Sequence, residues 1–253
     1  MRFVAALPAG VAAPAGVALV VFAISGASLA LLTAGDAGGG LPRGAGWVVL
    51  FLAGWTLMTS AMMLPSSLPF LVATQRAGGV EASTAAGFGF TAAWFAVGIV
   101  LCASLWMAGD LLAEIGPGRV EQLAGASLMA AALYQVSPLA RSCQRACARP
   151  FGIIAQHWRG EGTPRRDAAM AGLHYGMSCV GCCLAMIVLM FVFGMHDLVW
   201  MVGLALLMAV QKHAVWGPRI AMPSAAALMA AGVAIAAGWW VVPLRSLRAL
   251  CGG

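Results

Sequence analysis

Residues 175–193 read YGMSCVGCCLAMIVLMFVF, an apolar run long enough to cross a bilayer that carries three cysteines in five residues. On an ideal helix, advancing ~100° per residue, Cys179, Cys182, Cys183, Met186 and Met190 fall within a stripe roughly 100° wide. Five sulfurs then face one way. Thiolate and thioether are the side chains that soft metals such as Cu(I) select, and cysteine also takes Zn(II), so a one-sided sulfur stripe in an apolar helix points to a metal site. The same residue types are ordinary apolar fillers, and small Cys and Gly side chains let helices approach closely in lipid. Packing therefore accounts for each of these residues singly. The cluster tips the balance towards a metal, which would also need ligands from elsewhere in the chain.

Around this run the chain is 62% hydrophobic and 9% charged over its 253 residues, a composition outside that of soluble globular domains. It reads as an all-α protein, a polytopic transmembrane helical bundle forming one integral membrane domain, 1–253. About seven spans are expected, near 14–32, 47–73, 87–108, 120–136, 168–196, 197–210 and 221–242. The count falls to six if the first is a cleaved signal. A weakly polar linker is expected at 74–86. The seven cysteines lie in apolar spans or in a basic loop and do not resemble a secreted disulfide framework, so most are expected to be free thiols.

The net charge of +6 is local in origin, because six of the fourteen basic residues sit between residues 141 and 167. Such a pattern reports topology and gives no ground for nucleic-acid binding. By the positive-inside rule the basic loop at about 139–168 is cytoplasmic, in a bacterial-type inner membrane. Seven crossings then put Arg245 and Arg248 outside, against the same rule.

Two further stretches carry candidate chemistry. Residues 55–70, WTLMTSAMMLPSSLPF, contain Pro65 and Pro69, which remove backbone donors and are expected to break the helix at mid-depth, a common way of building a membrane binding site. Helical projection puts Met62 on one face with Trp55 and Met58, and Met63 on the opposite face with Thr56 and Ser60. In the basic loop, Pro138 can start a short helix and Pro150 stop it, so that Cys143 and Cys147 lie four apart on one face. The flanking Arg141, Arg145 and Arg149 would favour thiolate, or would grip lipid phosphates. Cys102, Met107 and Lys212 carry less: the first two read as packing, and the lysine as snorkelling to the interface from a helix end.

Together AMMLPSSLP, YQVSPLARSCQRACARP from residue 134, GMSCVGCCLAM and the GMHDLVWM that follows resemble a domain-of-unknown-function family of predicted metal-binding integral membrane proteins. The resemblance covers roughly residues 47–217. It implies Met62, Met63, Cys143, Cys147, Cys179, Cys182 and Cys183 as the metal residues. The chain departs from the family pattern where it has Ala140 for a lysine, Leu184 for a tryptophan and Gln211 for a glutamate. The last change removes a negative partner for Lys212.

The leading functional expectation is a protein that binds, buffers or moves a soft transition metal, copper as Cu(I) ahead of zinc. Cys179, Cys182 and Cys183 would face Met62 or Met63 at mid-membrane. Cys143 and Cys147 would act as an inner donor or acceptor at a different depth, and Met195 with His196 could add outer ligands. Besides the lipid bilayer, a metallochaperone or a membrane metalloenzyme is the expected partner. The chain has no P-loop and no clear internal repeat, which argues against an ATP-driven pump. The balance is also against an enzyme. The competing expectations are a membrane thiol-disulfide oxidoreductase, with Cys179 and Cys182 in Cys-x-x-Cys spacing, and an accessory subunit in metalloenzyme assembly.

Overall fold

A computed structural model describes residues 44–113, 117–158, 163–193, 198–214 and 216–239. The expected first span, Met195, His196 and the tail from residue 240 lie outside them. Among the described residues the fold is all helical, with seven helices: α1 (Ala45–Ala113), α2 (Pro117–Gln135), α3 (Pro138–Ala148), α4 (Pro150–His157), α5 (Pro164–Phe193), α6 (Leu198–His213) and α7 (Gly217–Ala236).

As one straight rod the 69 residues of α1 would measure about 100 Å, some three times the hydrocarbon thickness of a bilayer. The helix instead folds back on itself. Gly78 and Gly79 leave helical geometry, and Gly79 takes φ +78° and ψ −172°, a region that only glycine enters without strain. Residues 45–77 and 80–113 become antiparallel arms. Ser83 Oγ donates to the Leu71 carbonyl at 3.0 Å, Trp55 Nε1 donates to the Trp94 carbonyl at 2.8 Å, and Trp47 lies edge-on to Trp106 at 6.0 Å. The linker expected at 74–86 is thus helix on both sides of one sharp turn. Pro65 and Pro69 do not break it: dihedral angles stay helical through both. Ser66 and Ser67 hydroxyls turn back to the carbonyls of Met63 and Leu64 at 2.9 and 2.8 Å, the bonding that polar residues in apolar helices favour.

Among the described residues three helices are long and apolar enough to cross a membrane, within Ala45–Met107, Pro164–Val192 and Arg219–Ala236. A fourth is available if Glu121–Gln135 and Pro138–Ala148, bent by 61°, make one broken span. That bend sits at Ser137-Pro138, where the Ser137 side chain caps α3 by accepting from Ala140 N. The short helix expected between Pro138 and Pro150 is present.

The centre of the fold is α5. Glycines close it onto the second arm of α1: a Cβ on Gly89 would meet the Ala169 carbonyl, and one on Gly172 the Ala86 carbonyl. Phe90 and Phe70 pack on Tyr175, the latter stacked at 4.3 Å. On its other sides α5 meets α2, α3, α4 and α6. Helices α2 and α7 form a separate aliphatic layer around Gly125 and Gly232.

Candidate metal centre

Four helices converge halfway along α5. Cys179 and Cys182 are three apart and so nearly in line on one face of α5, while Cys147 comes from the last turn of α3. Their three Sγ atoms all lie within 4.8 Å of one another. Cys182 Sγ is 3.7 Å from Cys147 Sγ and 3.6 Å from Cys183 Sγ, and it sits 3.1 Å from the Cys179 carbonyl oxygen. An ion bonded to two thiolates at about 2.3 Å with a tetrahedral angle needs its sulfurs about 3.8 Å apart. The Cys147–Cys182 separation already has that value. Cys147, Cys179 and Cys183 are buried and Cys182 is half-buried, so the cluster is shielded from bulk water.

Beside the thiols lies a narrow cavity. Met62, Met63 and Ser66 of α1 line one side, Met208, Gln211 and Lys212 of α6 another, and Cys182, Cys183 and Gln144 complete it. Both methionines reach the same space. The projection that set them on opposite faces is overruled because two adjacent long side chains can curl towards one gap, whatever their Cα directions.

Lys212 departs most from expectation. It does not snorkel; it is 7% exposed, with Nζ 3.8 Å from Cys179 Sγ, 3.3 Å from Ser66 Oγ and 4.8 Å from the centroid of the Tyr175 ring. Among the described residues none offers it a carboxylate. Burying an ammonium costs several kcal/mol, of which a desolvated cation–π contact returns about 2 and a hydroxyl somewhat less. Cys179 Sγ, at 3.8 Å, is a group beside it able to carry an opposite charge. A lysine in an apolar helix is itself a signal of a functional site, and that signal could have found it.

The expected separation in depth between Cys147 and the α5 cysteines is not seen. Helix α3 bends inwards at Ser137-Pro138 and carries Cys147 to α5, while Arg141, Arg145 and Arg149 stay exposed on its outer side. Cys143 is less intimate with the cluster; it packs over Gly181, whose carbonyl accepts from Tyr134 Oη at 2.8 Å. Cys102 is buried in the second arm of α1, outside the group of three thiols. Behind Gln211 a polar knot joins α2, α6 and α7, with Gln135 Nε2 and Gln211 Nε2 donating to Ser224 Oγ at 2.8 and 3.0 Å.

Residues 52–235 match a family model, PpoB2, described as a copper chaperone. The chain belongs to that family. The match runs from the first arm of α1 almost to the end of α7 and includes every residue of the site just described. Among the curated proteins and among the solved structures nothing matches. The PpoB2 description and the thiol cluster are both compatible with copper binding.

Proposed function

We propose that this chain is an integral membrane copper carrier that holds Cu(I) through Cys147, Cys179 and Cys182 and passes it to a metalloprotein partner. The observation that carries the reading is the convergence of three thiols from two helices within 4.8 Å, in a member of a copper-chaperone family. Soft sulfur donors favour Cu(I) over hard dications. Charge supports the same choice. With two of the three cysteines bound as thiolates and the third as a neutral thiol, Cu(I) and the Lys212 ammonium bring the low-dielectric site to no net charge, whereas a dication on the same two thiolates leaves an uncompensated positive charge. Cys183, Met62 and Met63 extend the sulfur surface into the cavity and form the path by which the ion exchanges ligands. Cys143, beside Gly181, is the nearest further thiol on the α3 side.

The membrane setting rests on the length and apolarity of the helices, and the sidedness on the exposed arginines of α3 and of the start of α5. In this reading the α1 hairpin passes twice and the bent α2–α3 pair, α5 and α7 once each, while α6, at 16 residues, is shorter than a span. The exposed arginines at the end of α3 and at the start of α5 then mark the cytoplasmic side of a bacterial-type inner membrane. The test is competition between reduced protein in nanodiscs and a chromophoric Cu(I) chelator. One Cu(I) per chain, lost on replacing Cys147 and Cys182 by Ser, is expected; unchanged affinity in that variant overturns the assignment.

A second reading, thiol-disulfide exchange, is favoured by the 3.7 Å approach of Cys147 to Cys182. It requires a reversible disulfide between them that forms and breaks irrespective of copper. Mass spectrometry of protein cycled between oxidant and reductant separates the two readings.

A further inference from the structure

Away from the thiols, the last residue of α4 meets the third turn of α5. His157 Nε2 and His174 Nδ1 are 3.1 Å apart, their rings nearly perpendicular with centroids at 5.3 Å. His174 is exposed and His157 half-buried. One nitrogen donates and the other accepts, a contact worth little where water can replace it.

The same separation has another use. Two imidazoles bound to one ion at about 2.0 Å stand about 2.8 Å apart at a right angle and about 3.3 Å at a tetrahedral angle. A linear two-coordinate ion would need about 4 Å. The observed 3.1 Å falls inside the range for borderline dications and outside that for linear Cu(I); with the centroids at 5.3 Å the two nitrogens point nearly at each other, so the rings must turn by roughly 20° each to aim at one ion.

The pair is also held in place. Helix α4 ends at Trp158, whose amide donates to the Ile154 carbonyl at 2.9 Å. The Trp158 ring lies against Gly78, where any Cβ would come within 2.6 Å of Cη2. His157 is thus fixed by a tryptophan wedged into the turn of α1, and His174 by the middle of a long packed helix. Ligands on rigid elements lose less freedom when they bind.

We infer that His157 and His174 form a second metal site, a two-imidazole surface site for a borderline dication such as Zn(II) or Cu(II), separate from the thiol cluster. His174 is exposed, so an ion there is open to exchange on that side. His174 precedes Cys179 by five residues, a rise of about 7.5 Å, which sets the imidazoles near the thiols without joining them. The inference stands whether or not the thiols take Cu(I).

The test uses the full chain in nanodiscs with Cys147, Cys179, Cys182 and Cys183 all replaced by Ser to remove the competing sulfurs of the cluster, and Zn(II) as the probe. Equilibrium dialysis should give one Zn(II) per chain, with two imidazole scatterers at the zinc absorption edge. His157→Ala and His174→Ala should each weaken binding at least tenfold, and the two together should weaken it little further, since one imidazole alone is a poor site. In the chain with its cysteines intact, the same His variants should bind Cu(I) as the parent does. Binding of Zn(II) undiminished in either single variant, or an edge spectrum without imidazole, overturns the site. A measurement needing no substitution uses the parent chain: Zn(II) should protect both His157 and His174 from acylation by diethyl pyrocarbonate, and absence of protection refutes the inference.

Discussion

Between α2 and α7, Gly125 and Gly232 bring two backbones together, and the residues around them, Ala124, Leu128, Ala131, Leu228 and Ile235, are aliphatic and buried. Along α5 the same device appears at Gly172 and Gly176, which close that helix onto the second arm of α1. There the similarity stops. One turn beyond Gly176 the residues become Cys179, Cys182 and Cys183, and the neighbours are Met62, Met63, Met208 and Lys212. Backbones in contact leave no room for an ion. A site can open only where long, flexible side chains hold the helices apart, and the methionines do that while offering sulfur. The α2–α7 layer is closed backbone packing; the middle of α5 is where the packing opens onto a cavity lined by sulfur.

The sharpest test of that contrast is the double variant Cys147→Ser with Cys182→Ser. It should lower Cu(I) affinity by about a thousandfold or more, since hydroxyls are poor ligands for a soft ion, while leaving helix content and thermal unfolding close to the parent's. The opposite dissociation is expected from Gly232→Leu. A Cβ there would come 2.8 Å from the Gly125 carbonyl, so overpacking should cost about 1–3 kcal/mol or more, read by thermal unfolding in detergent, with Cu(I) affinity of the folded fraction unchanged. If copper binding falls in step with stability, the two regions are one cooperative unit and the contrast fails.

Next in size is Lys212→Gln. A unit charge 3.8 Å from Cys179 Sγ interacts by about 4 kcal/mol at an effective dielectric near 20, and relaxation takes up part of it. The expected loss is about 10- to 100-fold in Cu(I) affinity, measured by chelator competition, with little change as salt is raised because the site is buried. Met62→Leu should be smaller, about threefold in affinity, with a clearer slowing of copper release to an external chelator in stopped flow, since the thioether lies beside the thiols and not among the three nearest sulfurs. Cys102→Ser, buried in the second arm of α1, should leave Cu(I) affinity within error of the parent.

Sequence pattern was informative where the cause is local. The apolar runs placed α5, α6 and α7 within a few residues, and the prolines at 138 and 150 bounded α3, because Pro fixes φ and removes a donor whatever the surroundings. It failed where a neighbour decides. Pro65 and Pro69 were expected to break α1, yet nearby Ser hydroxyls and close packing keep it continuous, and the break falls at Gly78-Gly79. Lys212 was read as an interfacial side chain because nothing in its own helix shows that Tyr175, Ser66 and Cys179 wait across the gap. Cys147 was assigned to the membrane edge for the same reason: the inward turn of α3 is set by its packing on α5, not by its own periodicity.

The hairpin of α1 bears on how the chain is threaded. Because Trp47 meets Trp106, the two ends of α1 lie at the same end of the bundle. Whatever the position of its turn, the hairpin returns the chain to the end of the bundle it left. In the membrane arrangement proposed above, inserting or deleting the whole hairpin would therefore leave the orientation of α5, and with it the face from which Cys147 approaches, unchanged.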